Sequence, residues 1–380
     1  MTEGFRFASR TRSLEPAIIG KIREAAPPGA IDFALGEPIE PDPLAAREAA
    51  RRHLAEGASR YVFGPGMPEL RKEIASLYPP PYDHEDCVIV TVGTAEANAV
   101  ATLAFAEPGS EVLLPSLAFP PSRDLIPFCG ARQTEYPVSF ENHFHVVPED
   151  VDSRIGQETS MVLLNSPSNP TGAVQPSAVL ERVSEAANAS NIPVVSDEIY
   201  SGLCYSPSQC VSLAEISEKG LIVNGVSKSH AMTGWRVGWL VAPRELIQKL
   251  LAVHQLLVTC PPVLSQTAAC AALRDGKDHQ REILTVFEKK RRLMTEGLQK
   301  IPHLRFHVPE GAFYFFVDTQ AYAESGAELA LRLAKKGVLV VPGEVFGAAG
   351  RGFLRLSFCA KETEITTGVE RFGELLQEEL

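Results

Sequence analysis

The stretch CVIVTVGTAEANAVATLAFA, residues 87–106, decides the fold class of this chain. It begins with a short apolar run, passes through a turn of small residues at Gly93, and continues as an amphipathic helical pattern. A buried strand, a tight turn and a helix in this order are typical of α/β folds. The stretch therefore predicts a domain in which strands and helices alternate along the chain.

The same alternation continues through the middle of the chain. Five further β-rich runs follow: EVLLP 111–115, MVLLN 161–165, IPVVS 192–196, GLIVN 220–224 and VGWLVA 237–242. Because these runs are almost continuously apolar and helical patterns separate several of them, they predict a mostly parallel sheet with helices on both faces. We expect this sheet to form a large α/β domain over residues 37–278.

The composition changes near residue 279, where a long charged helical pattern begins. Strand-like and helical runs then alternate up to an acidic helical pattern at the C-terminus. This arrangement is typical of an α+β unit. We expect residues 1–36 and 279–380 to form a second, smaller α+β domain.

Composition and charge exclude several classes of function. The chain has 380 residues, of which 45% are hydrophobic and 22% charged, and its formal net charge is −11. Nucleic acids and anionic membranes require a basic face, so we expect neither as a partner. No window approaches the roughly 18 consecutive apolar residues of a membrane span, and the N-terminus lacks the apolar core of a signal peptide.

The cysteines and histidines indicate no metal site. The seven cysteines are scattered and contain no CxxC pair, which favours reduced thiols and a cytoplasmic protein over a disulfide framework. The histidines of HFH, residues 143–145, have no carboxylate or cysteine at a recognised metal-binding spacing. A strand with one outward face explains them better, and we expect no metal.

Three of the loops that follow predicted strands carry residues suited to a ligand. Ligands of open α/β sheets collect at the carboxyl ends of the strands. The turn Gly93-Thr94-Ala95 offers backbone N–H groups to a phosphate, or else Thr94 simply caps the helix. Phe119 either packs inward or presents its face to a flat ring. Asn169, held extended by the proline after it, is either a plain turn residue or an amide donor to such a ring.

A carboxylate, Asp197, follows the strand at 192–196. A carboxylate at the end of a buried strand is costly to leave unpaired, so Asp197 needs a cation or strong donors. A protonated ring nitrogen would satisfy it. The alternatives are a helix N-cap and a structural salt bridge.

Two cations lie in the stretch NGVSKSHAMTGWRVGW, residues 224–239, with little acid beside them. Lys228, held near a fixed positive charge in a partly dry site, becomes a better amine nucleophile that can form a Schiff base. Arg236 offers the two-pronged guanidinium that phosphate prefers. The alternative is an ordinary solvated basic loop.

These stretches resemble, in order and spacing, the pyridoxal-phosphate-dependent aminotransferases of fold type I, class I/II, of the aspartate aminotransferase type. The match runs from Gly36 to Phe358, nearly the whole chain. The matching motifs are GEP 36–38, YVFGPGMPELR 61–71, VGTAEAN 92–98, PSLAFPPS 115–122, NSPSNPTG 165–172, SDEIY 196–200, SKSHAMTGWRVGW 227–239, GAFY 311–314 and LRLSF 354–358.

The resemblance implies an enzyme that uses pyridoxal 5′-phosphate to exchange an amino group between an L-amino acid and a 2-oxo acid. Elimination, cyclisation, racemisation or decarboxylation by the same cofactor is the alternative, because the motifs fix the cofactor and not the fate of the carbanion. The resemblance also implies a homodimer with shared active sites. Tyr61 matches a tyrosine that reaches the phosphate of the neighbouring subunit's cofactor. The motifs identify neither the amino donor nor the acceptor.

The same resemblance implies roles for individual residues. Lys228 forms the Schiff base and shuttles the substrate proton, Asp197 pairs with the pyridine nitrogen, and Tyr200 contacts the ring hydroxyl. Arg355 takes the substrate α-carboxylate as a two-pronged pair, with Gly36 and Asn169 beside it. The other residues implied to bind the cofactor are Gly93, Thr94, Ala95, Phe119, Asn169, Ser227 and Arg236.

The chain departs from the family pattern at three positions. Gly225 replaces a serine that often binds the phosphate. Ser122 stands where some members carry a histidine or tyrosine behind the ring, so the sequence does not show what supports Asp197. When TCPP at 259–262 is aligned without gaps to the dicarboxylate-specific members of the family, Gln255 occupies the place of the arginine that reads a second substrate carboxylate, so aspartate is not predicted as the substrate.

Overall fold

The computed structural model describes residues 7–12, 14, 18–57, 59–62 and 64–379. Parts of the predicted N-terminal segment, and residue 63 of the motif at 61–71, lie outside these residues. The helices are α1 (Ser9–Arg12), α2 (Ile18–Ala25), α3 (Leu44–Glu56), α4 (Pro68–Ala75), α5 (Gly93–Phe105), α6 (Pro120–Phe128), α7 (Pro148–Asp152), α8 (Ser177–Ala189), α9 (Arg244–Val258), α10 (Val263–Asp275), α11 (Lys277–Leu298), α12 (Gly326–Lys335) and α13 (Glu362–Gln377). The strands are β1 (Ile31–Asp32), β2 (Val88–Thr91), β3 (Glu111–Pro115), β4 (Arg132–Tyr136), β5 (Thr159–Asn165), β6 (Val194–Asp197), β7 (Leu221–Gly225), β8 (Gly238–Val241), β9 (Arg305–Phe306), β10 (Tyr314–Asp318), β11 (Val338–Leu339), β12 (Val341–Pro342) and β13 (Phe353–Ser357).

A seven-stranded sheet has the strand order β2-β8-β7-β6-β5-β3-β4. Strands β3 to β7 run parallel, whereas β8 is antiparallel to both β2 and β7. The predicted α/β class with a mostly parallel sheet is therefore confirmed. Two parallel neighbouring strands are usually connected by a helical crossover of at least about a dozen residues. The segment between β7 and β8 contains only a single 3₁₀ turn, Thr233–Trp235, and β8 runs antiparallel to β7.

Alternate residues of the central strands pack into two different cores. In β5, Val162 and Leu164 belong to one hydrophobic cluster, and Met161 and Leu163 belong to the other. Successive side chains of a strand point to opposite faces of the sheet. Helices cover both faces, which explains why the strand sequences are almost continuously apolar.

Several helices begin where their sequence favours a helix start. Prolines occupy the first turn of α6 and α7, where the missing N–H removes no intrahelical hydrogen bond. At α12 the side chain of Ser325 accepts a hydrogen bond from the backbone N–H of Glu328 at 3.3 Å. These local signals fix the loops that connect strands to helices.

A second, antiparallel sheet has the order β12-β13-β10-β9 and lies in the C-terminal part of the chain. Strand β1, from the N-terminal part, pairs in parallel with β11, with Ile31 opposite Val338. This pairing brings the two ends of the chain together. The boundaries of the small domain at residues 36 and 279 stay a prediction.

The prediction of a strand for HFH at 143–145 is wrong. A 3₁₀ turn, Phe140–Asn142, precedes it, and both His143 and Phe144 have left-handed backbone conformations, with φ of 52° and 60°. The ring of His143 lies 4.0 Å from that of His307, and Phe144 is buried in the core. Packing of these rings, which sequence periodicity does not show, decides the local conformation.

The described residues contain no group of histidine, cysteine, aspartate and glutamate side chains arranged to hold a metal ion. None of the described helices combines the length and apolarity that crossing a bilayer requires.

Candidate active site

A cavity of about 550 Å³ is lined by residues that follow the carboxyl ends of the parallel strands. This volume is within the range of roughly 300–1,000 Å³ that small-molecule sites occupy. Most residues singled out by the sequence line it. They are Gly36, Thr94, Ala95, Phe119, Asn169, Asp197, Tyr200, Ser227, Lys228, Arg236 and Arg355. The fold therefore brings together side chains that are far apart in the sequence.

Lys228 lies in the loop between β7 and β8. Its Nζ donates a hydrogen bond to the carbonyl oxygen of Gly36 at 2.7 Å. Burial lowers the pKa of the Lys228 amine; the charges of Cys359 and Glu37 oppose this effect, and the positive charges of Arg236 and Arg355 add to it. The sequence predicted the neighbouring charges as the cause, but removal from water is the larger effect. A lysine with a lowered pKa is a better nucleophile because more of it is neutral.

Asp197 ends β6, between β5 and β7, and its carboxylate accepts two hydrogen bonds. Nδ2 of Asn98 donates to Oδ2 at 2.8 Å, and the backbone N–H of Ile199 donates to Oδ1 at 3.2 Å. Burial raises the pKa of Asp197 to about 6, while the bond from Asn98 and the charge of Lys228 oppose this rise. A cationic ligand group beside Asp197 would stabilise the charged carboxylate.

Asn98 is a site residue that the sequence reasoning missed. It lies on α5 four positions after Thr94, and both residues line the cavity. Residues four positions apart on a helix lie on the same face, so helical periodicity could have indicated that Asn98 faces the cavity together with Thr94. Ser122 also lines the cavity, but no hydrogen bond to Asp197 is found for it among the described residues. Support for Asp197 comes from α5, the helix whose first residues the resemblance assigned to the cofactor, but the resemblance gave Asn98 itself no role.

The N-terminus of α5 is not capped by Thr94. The helix begins at Gly93 after Val92, whose side chain provides no cap, and Oε2 of Glu96 accepts a hydrogen bond from the backbone N–H of Val92 at 2.5 Å. The backbone N–H groups of this first turn are therefore open to an anion. Gly93 does not line the cavity itself, but it has φ of +69°, and a Cβ there would lie 2.5 Å from Nη2 of Arg236. Glycine permits the close approach of Arg236 to the helix start.

Arg236 has a left-handed backbone conformation, with φ of 55°, and its Nη1 donates to the carbonyl oxygen of Thr233 at 2.8 Å. This bond holds the side chain by a neutral oxygen and leaves its charge available for an anion.

The departure from the family pattern at Gly225 has a structural reason. A Cβ there would lie 2.9 Å from the carbonyl oxygen of Val237, so the close approach of β7 and β8 excludes the family's serine without a shift.

Two tyrosines and an amide form a hydrogen-bonded group in the cavity. The hydroxyl groups of Tyr200 and Tyr314 lie 3.0 Å apart, and Nδ2 of Asn169 lies 3.5 Å from the Tyr200 hydroxyl. Burial raises the pKa of both tyrosines, to about 12 for Tyr314, so both stay protonated donors near neutral pH. Tyr314 was quoted in the motif GAFY but received no role from the sequence.

Phe119 directly precedes α6 and keeps 40% of its surface exposed. It lines the cavity and does not belong to either hydrophobic core. The alternative that the Phe119 side chain packs inward, into a hydrophobic core, is therefore wrong. An aromatic side chain at a cavity wall offers apolar area to a flat ring.

Arg355 lies on β13 and is buried. Its Nη1 donates to Oδ1 of Asn169 at 2.9 Å, and its Nη2 donates to the carbonyl oxygen of Ala34 at 2.8 Å. Its Nε has no partner among the described residues. A buried guanidinium held by neutral oxygen atoms, with one donor unsatisfied, suits an anionic ligand.

Two residues weighed from the sequence lie elsewhere. Tyr61 is 72% exposed and lines a separate depression with Arg60 and residues 260–264. Gln255 is exposed on α9 and does not line the cavity. The predicted role of Tyr61 in a neighbouring subunit stays a prediction.

The cavity combines groups for three kinds of interaction: covalent bonding to a carbonyl group, pairing with a cation, and binding of anions at two sites. The amine of Lys228 can bond to a carbonyl group. Asp197 can pair with a cation, and the open start of α5 with Arg236 can hold an anion. Arg355 provides a second anion site. A phosphorylated aromatic aldehyde and a carboxylate-bearing substrate fit this set of groups.

The chain is similar in sequence and structure to known proteins. The family model of aminotransferase class I and II matches residues 28–372. A probable aspartate aminotransferase of Methanocaldococcus jannaschii is 32% identical over 97% of this chain and 100% of that protein. A probable aspartate/prephenate aminotransferase of Aquifex aeolicus is 35% identical over 98% of each. The structure of the Thermus thermophilus aspartate aminotransferase with maleate superposes with a TM-score of 0.92 at 32% identity, covering 98% of this chain and 100% of that chain.

Proposed function

Since this chain belongs to the aminotransferases of class I and II, we propose that its cavity binds pyridoxal 5′-phosphate and that Lys228 bonds to the cofactor aldehyde. The chain is an enzyme that transfers an amino group between an amino acid and a 2-oxo acid, as the names of its relatives and structural neighbours indicate. The proposal concerns how its own residues do so.

The observation that carries the proposal is the composition of one cavity. Lys228 with a lowered pKa, a carboxylate, and two arginines whose hydrogen bonds go to neutral oxygen atoms all line it. Two separate anion sites beside a nucleophilic amine are what a phosphorylated aldehyde and an amino acid require. A structural salt-bridge network would have paired these arginines with carboxylates instead.

When bound, pyridoxal phosphate supplies an aldehyde that bonds amines and a protonated ring that withdraws electrons from the substrate α-carbon. Asp197 would accept the hydrogen bond of the ring N–H, and Asn98 would hold the Asp197 carboxylate in place. Tyr200 and Asn169 would donate to the ring hydroxyl, and Phe119 would pack against the ring. The phosphate would be held by Gly93, Thr94, Ala95, Ser227 and Arg236.

Lys228 would accept the proton that leaves the substrate α-carbon and return it at a different atom. Burial serves this role because it brings the pKa of the amine below the usual lysine range and toward the pH at which general bases are efficient. The Gly36 carbonyl accepts a hydrogen bond from Nζ at 2.7 Å. It would orient the amine as the amine takes the proton from the α-carbon and returns it at the other atom.

Arg355 would bind the α-carboxylate of the amino acid. Its unsatisfied Nε and one Nη would donate in parallel to the two carboxylate oxygens, which is the geometry that guanidinium groups favour. Asn169, already bonded to Nη1 at 2.9 Å, would fix the guanidinium plane. Gly36 lines the cavity and would lie beside the substrate, and a side chain is excluded there because a Cβ would clash with the Tyr314 hydroxyl.

The protein is proposed to act as a homodimer, in which Tyr61 reaches the phosphate in the other subunit's cavity. The exposed position of Tyr61, outside the cavity of its own chain, supports this assignment. A cytoplasmic location is proposed from the seven cysteines, all of which are free thiols in the structure.

Incubation of the purified holoenzyme with single amino acids tests the proposal. Transamination converts the cofactor to its amine form and then stops until a 2-oxo acid is added. Elimination or decarboxylation instead releases ammonia, a thiol or carbon dioxide without a 2-oxo acid, and that result would assign the same site to a different reaction. The Lys228→Ala protein is the matched control, since it lacks the amine but keeps the rest of the cavity.

A further inference from the structure

We infer that the amino acid handled by this enzyme carries an apolar side chain and not a second carboxylate. The inference rests on the proposed function, because it takes Arg355 as the α-carboxylate site and Lys228 as the amine that exchanges with the substrate amino group. It is carried by the residues that lie between and around these two groups.

The segment Ala34–Gly36 connects the two anchors of the substrate. The carbonyl oxygen of Ala34 accepts from Arg355 at 2.8 Å, and that of Gly36 accepts from Lys228 at 2.7 Å. Leu35 lies between them, lines the cavity and keeps 39% of its surface exposed. A substrate bound to both anchors therefore has its α-carbon close to Leu35.

The other side of the α-carboxylate site is also apolar. The guanidinium carbon of Arg355 lies 5.2 Å from the centroid of the Phe346 ring. Val345 and Phe346 both line the cavity. We call Leu35, Val345 and Phe346 the substrate wall. A side chain that leaves the α-carbon meets this wall, and burying apolar area there is favourable.

Apolar residues extend the cavity beyond the substrate wall. They come from α2 and from the first turns of α6, and they are Ile19, Pro120, Pro121 and Leu125. The cavity thus has room for a side chain longer than a methyl group, with apolar contacts along its length.

Among the described residues of this chain, each basic side chain that lines the cavity already has a proposed role or an acidic partner. The basic residues that line it are Arg23, Lys228, Arg236 and Arg355. The last three have roles in the proposed function. Arg23 already pairs with Asp32, with Nη2 and Oδ2 3.0 Å apart.

Asp32 also places negative charge beside the substrate wall. Its Oδ1 accepts hydrogen bonds from the backbone N–H groups of Ala34 and Leu35 at 2.8 and 3.0 Å. This carboxylate is therefore fixed to the segment that contacts the substrate. The second carboxylate of a dicarboxylic amino acid would have to compete with Asp32 for Arg23, and the negative charge of Asp32 nearby would repel it.

The test is the rate at which amino acids convert the cofactor of the holoenzyme to its amine form, measured by absorbance in single half-reactions. L-leucine, L-methionine and L-phenylalanine are expected to show values of kcat/KM about 100-fold above those of L-aspartate and L-glutamate. Comparable or faster reaction of aspartate or glutamate would overturn the inference. If no amino acid of any class converts the cofactor, the proposed function fails and the inference fails with it.

Two variants sharpen the test. Leu35→Arg places a cation in the substrate wall at a partly exposed position, and it should raise kcat/KM for aspartate at least about 10-fold while lowering it for leucine. Arg23→Gln should leave the preference for apolar amino acids unchanged. If the wild-type enzyme reacts with dicarboxylates and Arg23→Gln loses that reaction, Arg23 is the reader of a second carboxylate and the inference is wrong.

Discussion

The two ends of the cavity are built from different kinds of sequence. We call the groups around Asp197, Lys228 and Arg236 the cofactor end, and Arg355 with the substrate wall the substrate end. The cofactor end comes from loops that directly follow buried strands of the seven-stranded sheet. Each of its functional residues lies within a short motif, so its chemistry is local in the sequence.

The substrate end is assembled from distant segments. Ala34 and Arg355 are bonded across 321 positions of the chain, and Arg355 and Asn169 across 186. These contacts exist only once β13 and the N-terminal segment have met. The groups of the cofactor end are therefore encoded in short motifs, whereas the substrate end depends on tertiary contacts that no single motif contains.

Substitution of Lys228, at the cofactor end, should have the largest effect. The Lys228→Ala protein should lose turnover with every amino acid, by at least about 10²–10⁴-fold, because the proton acceptor and the amine that bonds the cofactor are both removed. The Lys219→Ala protein, with an exposed lysine changed, is the control and should keep normal rates. Steady-state kinetics at saturating cofactor measure both. Normal turnover in Lys228→Ala would refute its assigned role.

Arg355→Met should weaken every amino acid alike. Loss of the charge-assisted pair with the α-carboxylate should lower kcat/KM about 10–100-fold, mainly through KM, since hydrogen bonds to charged groups contribute about 1.5–3 kcal/mol. Arg351→Met changes an exposed arginine nearby and should have no effect. Cofactor affinity, measured by absorbance titration, should stay near the wild-type value in both. A loss of cofactor affinity in Arg355→Met would move this arginine to the cofactor end.

Asn98→Ala should affect the cofactor end by a smaller amount. Without the 2.8 Å hydrogen bond from Nδ2, Asp197 loses a donor that lowers its pKa, so the pKa rises above about 6. The carboxylate is then protonated at a higher pH, and it pairs with the ring N–H only while charged. Cofactor affinity should therefore fall on acidification at a higher pH than in wild type, and kcat should decrease about 10-fold.

Ser122→Ala is the matched control for Asn98→Ala, because Ser122 lines the same cavity. It should leave the pH dependence of cofactor affinity unchanged. A shift of equal size in both variants would mean that Asn98 acts only by filling space. An unshifted profile in Asn98→Ala would remove its role in supporting Asp197.

A buried ion pair away from both ends gives the smallest expected effect on catalysis. Nζ of Lys290 lies 2.5 Å from Oε1 of Glu40, and both side chains are largely buried. Lys290→Met leaves the Glu40 carboxylate without its partner, and we expect it to reduce stability by about 3–5 kcal/mol while kcat/KM stays within about twofold of wild type. Chemical denaturation and steady-state kinetics check the two parts, with the Lys290→Met/Glu40→Leu double variant expected to recover most of the stability.

Much of the fold could be predicted because its strands are apolar runs. The predicted strands at 87–92, 111–115, 161–165, 192–196 and 220–224 are confirmed within a residue or two. Strand β4, with the sequence RQTEY, was missed because it pairs on one side only and remains half-exposed at the edge of the sheet. The antiparallel direction of β8 was not predicted either, since an apolar run does not encode its direction.

The sequence predicted the site residues that lie within a single motif. It did not predict contacts between residues that are distant in the sequence and come together only in the folded chain. Asp197 and Lys228 follow their strands closely, and the resemblance assigned them roles. The bond from Asn98 to Asp197 spans 99 positions, and the contact of Tyr314 with Tyr200 spans 114, so neither appears in sequence spacing. The substrate wall was missed for the same reason.

The central claim is that the Lys228 amine bonds to the cofactor aldehyde. Borohydride converts such a bond to a stable secondary amine, so reduction of the holoenzyme followed by peptide mass mapping locates the modified lysine. We expect one pyridoxyl group per chain, on Lys228. A pyridoxyl group on any other lysine, or a bound cofactor that leaves Lys228 unmodified after reduction, would contradict it.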